Sequence, residues 1–212
     1  GSIRFDSTIY SENKKIYRLK ELALNTSIDQ AGNKSLSLKS DYADADFNGK
    51  FTFADFYYSL TNIISTYIPS LQLSGRKDYK VEKEQLFEYT ISVKNTDPLT
   101  ELFLPDFRLK SEATLFGSYN STTETVLING EAGKFDYKGI YFNDWYLRGQ
   151  NLGRSLQVTT GTSSIVWKDP DKDDPKRLGI DNFAVNTFLH GDSVRYSLKW
   201  KNNDSVTRNM GD

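Results

Sequence analysis

Apolar and polar residues alternate along most of this chain, which is how a β-strand with one buried and one wet face reads. The clearest run sets Phe87, Tyr89, Ile91 and Val93 against Glu88, Thr90, Ser92 and Lys94. Phe107, Leu109, Ala113 and Leu115 stand in the same way against Arg108, Lys110, Glu112 and Thr114, and Val194, Tyr196, Leu198 and Trp200 against Arg195, Lys199 and Lys201. Shorter alternations carry Ile3 and Phe5, Leu22 and Leu24, and, after a turn at Gln30-Ala31-Gly32-Asn33, Leu36 and Leu38. A further one runs through Ala43, Ala45 and Phe47 to Asn48-Gly49, a dipeptide that predicts a hairpin turn.

One stretch breaks this rhythm. Phe56, Leu60, Ile63, Ile64 and Tyr67 recur at helical spacing, so they fall on one stripe of a helix expected near residues 55–68, roughly 20 Å long. Asp55 is the expected N-cap, and Pro69 cannot continue the helix. The polar stretch 74–84 reads as an exposed connection.

The chain also repeats itself. Leu104-Pro105-Asp106-Phe107-Arg108-Leu109, Phe142-Asn143-Asp144-Trp145-Tyr146-Leu147 and Ile180-Asp181-Asn182-Phe183-Ala184-Val185 share one pattern and start 38 residues apart. Gly153-Arg154-Ser155-Leu156-Gln157-Val158 and Gly191-Asp192-Ser193-Val194-Arg195-Tyr196 extend the last two copies at the same offset. A looser copy at Leu19–Leu24 is followed by Asn33–Leu38. Each period is read as about three strands, with the helix an insertion between copies. Stacked periods predict one elongated, curved antiparallel sheet in a single domain over 1–212, with one continuous apolar face. The helix is expected to lie against that face as a plug or cap.

Composition narrows the function classes. The 212 residues carry a formal net charge of -1, so no basic excess is available to neutralise phosphates, and nucleic acid is not expected as a partner. Thirteen tyrosines and 13 phenylalanines with a single Met suit strands rather than helices. No apolar run of membrane-spanning length and no signal pattern is present, and Gly1-Ser2 reads as a cloning remnant, so a longer parent chain is expected.

The residues for chemistry are sparse. There is no cysteine, and the single histidine, His190, falls in a predicted turn. A Ser or Cys nucleophile therefore has no base of the usual kind. The acidic stretch 168–176 places Asp169, Asp171 and Asp173 like a calcium loop. Asp174 replaces the required glycine, however, and Ile180 the bidentate glutamate. No enzyme activity, cofactor or metal is expected. What remains is the apolar face, with Phe87, Tyr89, Ile91, Val93, Phe107, Leu109, Leu115, Val194, Tyr196 and Leu198 as groove candidates and Phe56, Leu60, Ile63, Ile64 and Tyr67 as the plug.

Residues 36–51 (LSLKSDYADADFNGKF), 65–71 (STYIPSL) and 102–117 (LFLPDFRLKSEATLFG) resemble the TamB branch of the AsmA-like proteins in its Bacteroidetes form. The resemblance implies a segment of a long periplasmic protein, tethered to the inner membrane and working with an outer-membrane assembly barrel protein. It also implies a taco-shaped β-sheet whose apolar groove carries lipid or shields client strands. Asp6-Ser7-Thr8, Asp192-Ser193-Val194 and Asp204-Ser205-Val206 resemble the O-glycosylation signal of exported Bacteroidetes proteins. A competing reading is a carbohydrate-binding or adhesin-like β-sandwich, with Tyr141, Trp145 and Trp167 as stacking platforms on the outer face.

Overall fold

The computed structural model describes residues 1–12, 15–52, 84–94, 106–153, 155–167, 179–202 and 208–211, together with Asp55, Tyr58 and Tyr67. The fold is mainly β, and its strands lie in one open antiparallel sheet. In chain order they are β1 Ser2–Glu12, β2 Lys15–Ile28, β3 Lys34–Ser40, β4 Ala43–Lys50, β5 Leu86–Val93, β6 Phe107–Leu109 and β7 Ala113–Asn120. There follow β8 Thr125–Tyr137, β9 Ile140–Leu152, β10 Ser155–Val166, β11 Gly179–His190, β12 Ser193–Asn202 and β13 Arg208–Gly211. Each strand pairs with its sequence neighbour, except that β5 pairs with β7 while the short β6 prolongs the β7 side of β8.

Directly paired residues share a face, so the register can be followed across the sheet as rows. One row reads Ile3, Leu24, Leu38, Ala45, Ile91, Leu115, Gly130, Leu147, Thr160, Val185 and Leu198. The next row on that face reads Thr26, Leu36, Phe47, Tyr89, Gly117, Ile128, Gly149, Val158, Thr187 and Tyr196. A third runs Ile28, Lys34, Gly49, Phe87, Tyr119, Val126 and, past Asn151, Leu156, Leu189 and Val194. We call this the inner face.

The repeated hexapeptide has a structural meaning. Its apolar positions are the first, fourth and sixth, one residue more than strict alternation allows. Asp144 and Asn182, third in their copies, adopt the left-handed conformation, each with φ 50°. Asp and Asn tolerate that region best among non-glycine residues. The extra residue brings Phe142 and Trp145 to the same face: Phe135 stacks on Phe142 with centroids 4.7 Å apart and meets Trp145 edge-on at 6.4 Å. Phe142 and Ile180 both pair with Ile165, so these two copies lie in one row.

Three expectations about the repeat and its turns are corrected. Its period holds two strands, not three, because in an antiparallel meander only an even number returns the chain to the same direction. The copy at 104–109 does not share the position of the other two. Leu109, not Leu104, stands in the row of Phe142 through Phe135, and the extra residue falls among Lys110, Ser111 and Glu112. Asn48-Gly49 is not a hairpin. It lies inside β4, where a methyl group on Gly49 would sit 2.1 Å from the Leu86 carbonyl oxygen, so the glycine permits close strand approach. Hairpins turn instead at Asp41-Tyr42, Lys138-Gly139 and Gly191-Asp192, the last two with positive φ at both residues.

The sheet is continuous across the chain between Phe51 and Gln85, since β4 pairs directly with β5. Asp55, Tyr58 and Tyr67 are helical, and Asp55 and Tyr67 are each 4% exposed. Phe56, Leu60, Ile63 and Ile64 lie outside the described residues, as do the polar connection and the acidic stretch 168–176. The N-cap position belongs to Thr52 rather than Asp55. The Thr52 hydroxyl accepts from the Asp55 amide at 3.3 Å, the side-chain cap of a helix start three residues earlier than expected, and donates to the Asp55 carboxylate at 2.6 Å. Gln85, fully buried, ties both ends of the excursion together: its side-chain oxygen accepts from the Thr52 amide at 2.8 Å and its own amide donates to the Ser121 hydroxyl at 2.9 Å.

Candidate binding groove

All ten groove candidates stand on the inner face. Phe87 and Leu109 are buried, and Tyr89, Ile91, Val93, Phe107, Leu115 and Leu198 are half-buried. Val194 and Tyr196, on β12, are 53% and 67% exposed, and Ile3 and Phe5, on β1, are 54% and 52% exposed, so the apolar face runs open at both sides of the sheet. At roughly 4.8 Å per strand the longest row extends about 50 Å.

Two aromatic groups divide this face. At the end where β4 leaves for the excursion, Phe51, Phe87, Tyr119 and Val126 form a buried cluster, with Leu36, Phe47, Tyr89 and Ile128 packed against it. The Phe87 ring lies 5.6 Å from Phe51 and 5.7 Å from Tyr119, and Phe47 stacks on Tyr89 at 6.1 Å. Burial pushes the Tyr89 phenol above its ordinary pKa, so it is neutral across the physiological range. At the opposite end, Phe107, Phe135, Phe142 and Trp145 form the second group, with Phe107 and Phe135 5.5 Å apart. Between them an apolar concavity of about 230 Å³ is lined by Phe47, Tyr89, Ile91, Leu115, Val126 and Ile128 among others.

Alternation alone did not single out Phe135, Phe142, Trp145 or Leu147 for this face. The available signal was the one-four-six spacing of the hexapeptide. Trp145 faces inward, over Gly130, where an added methyl group would meet its ring at 3.1 Å. It is therefore no stacking platform on the outer face, which removes one of the three candidates of the carbohydrate reading. Trp167 is 49% exposed at the end of β10 and Tyr141 is half-buried on β9.

The outer face is held by ion pairs. Lys94 meets Asp44 at 2.7 Å, and Lys39 reaches Asp44 at 3.4 Å and Asp46 at 3.5 Å. Arg148 pairs with Glu131 across β9 and β8. Lys94, through its hydrogen bond, holds the Asp44 carboxyl below the usual carboxylate range. His190 ends β11 beside the turn, exposed, with Nδ1 3.3 Å from the Ser155 hydroxyl. Among the described residues no three His, Asp or Glu side chains cluster as metal ligands, and no helix is long and apolar enough to cross a membrane.

Comparison with protein-family models, curated proteins and solved structures finds no match for this chain.

Proposed function

We propose that this chain is a groove-forming segment of a protein that moves lipid between membranes or assists outer-membrane protein assembly, offering its inner face to acyl chains or client strands. The observation that carries the reading is the apolar row from Ile3 to Leu198. Its side chains are mostly half-buried, with no second sheet over them among the described residues. Contiguous apolar area of that extent usually marks an interaction surface. Hydrocarbon fits it because the row offers almost no hydrogen-bonding groups, Thr160 alone carrying a hydroxyl. The resemblance to the TamB branch supports a periplasmic setting, an inner-membrane tether elsewhere in the parent protein and an outer-membrane barrel partner.

The test is extraction of the purified protein and mass spectrometry of what is released. Phospholipid is expected from the wild type and a several-fold smaller yield from Ile91→Arg or Leu198→Arg, each checked for retained β circular dichroism. Reproducible absence of lipid from the folded wild type overturns the lipid reading.

A further inference from the structure

Of the side chains in the three inner rows, Lys34 alone is charged. It is half-buried, and its ammonium takes no carboxylate partner among the described residues. Its recorded contact is the face of the Phe51 ring, 5.9 Å from Nζ to the centroid. The charges of the outer face behave differently, since Lys39, Lys94 and Arg148 each meet a carboxylate.

Position gives this cation a use. Lys34 and Leu36 lie on the same face of β3, roughly 7 Å apart along the strand. Leu36 pairs with Phe47, and Phe47 lines the 230 Å³ concavity. Lys34 does not line that concavity itself, but the Phe51 ring beneath its ammonium lies 6.1 Å from the Phe47 ring, and a four-carbon stem gives the charge reach toward the headgroup of a chain seated there. Charge-assisted hydrogen bonds to an anion in such a partly desolvated place are about twice as strong as neutral ones.

We propose that Lys34 is the headgroup-binding residue of the groove and selects a membrane lipid with an anionic headgroup, its acyl chain held in the concavity walled by Phe47, Tyr89, Ile91 and Leu115. The inference rests on the groove reading above. Its bland rival is a lysine whose stem merely covers Phe51 while its charge reaches water, in which case the headgroup has no effect on affinity.

The experiment titrates the protein with lysophosphatidylglycerol and with lysophosphatidylcholine of the same acyl chain, by calorimetry below the micelle concentration. The anionic lipid is expected to bind about tenfold tighter. Lys34→Gln, which keeps the stem and removes the charge, abolishes the preference, and Lys34→Arg retains it. Equal binding of the two lipids, or a preference unchanged in Lys34→Gln, overturns the role of Lys34 and leaves the groove standing. Binding of neither lipid overturns the groove reading and this inference together.

Discussion

Thr90 and Ile91 are neighbours in β5, yet they belong to two different surfaces. The row through Thr90 reads Asn25, Ser37, Asp46, Thr90, Phe116, Asn129, Arg148, Thr159 and Asn186, with Phe116 its one aromatic. The row through Ile91, one residue away, is apolar from β1 to β12 apart from Thr160. Polar groups on the outer side bond to one another or to water, as the Thr159 hydroxyl does with Asn186 at 2.8 Å, so that surface is complete in solvent. Many side chains on the inner side are only half-buried, and burying them further against a ligand or partner is favourable. This contrast between the faces is what supports the groove reading proposed above.

The largest effect that tests this contrast is packing. Phe87→Ala removes a ring 3% exposed at the centre of the inner aromatic cluster and is expected to cost about 3–5 kcal/mol in urea denaturation. Thr90→Ala, three residues on and facing outward, should stay within about 0.5 kcal/mol. Equal costs would erase the distinction between the faces.

An intermediate effect concerns the residue that keeps the two faces in phase. Asn182 holds φ 50° and is exposed. Asn182→Val is expected to destabilise by about 1–2 kcal/mol, because a β-branched side chain is strained in the left-handed region, whereas Asn182→Gly should be neutral or better. If valine is tolerated as well as glycine, the extra residue is not what keeps Phe183 and Ile180 on one side.

The smallest effect belongs to the outer face. The folded-state pKa of Asp44 is lowered by the Lys94 hydrogen bond, so its contribution to stability is present above the unfolded pKa and is lost as pH falls through the lower folded value. Wild type should therefore exceed Lys94→Ala slightly in stability at neutral pH. The gap should close as pH drops below about 4, the ordinary aspartate value. A gap that persists at acid pH would assign the difference to packing rather than charge.

Much of the sheet was legible because the pleat writes a period of two into any strand with one apolar side. Phe87 to Val93 and Val194 to Leu198 could be placed on one face from their spacing alone, and the inner groove candidates among them share it. Where the pleat takes an extra residue the same reasoning loses its footing, and Phe142 with Trp145 was recognised as a repeated pattern without its cause. A shared pattern also misled: 104–109 matches the hexapeptide but sits five residues out of step, since a six-residue pattern carries no information about which strand it will pair with. Asn48-Gly49 misled for a similar reason. The dipeptide favours a tight turn, but the close approach of β5 required glycine in mid-strand.

By itself, then, the order of residues determined the β class and the two-sidedness of the strands. These are local properties, set by dihedral preference and side-chain alternation over a few residues. Only the tertiary structure decided that β4 and β5 close over the excursion between them and that Asp144 and Asn182 occupy equivalent places in one row. It also decided that Lys34 is the lone charge in the inner rows. Each depends on hydrogen-bonded register between strands distant in sequence, and a shift of one residue would have sent every side chain to the other face.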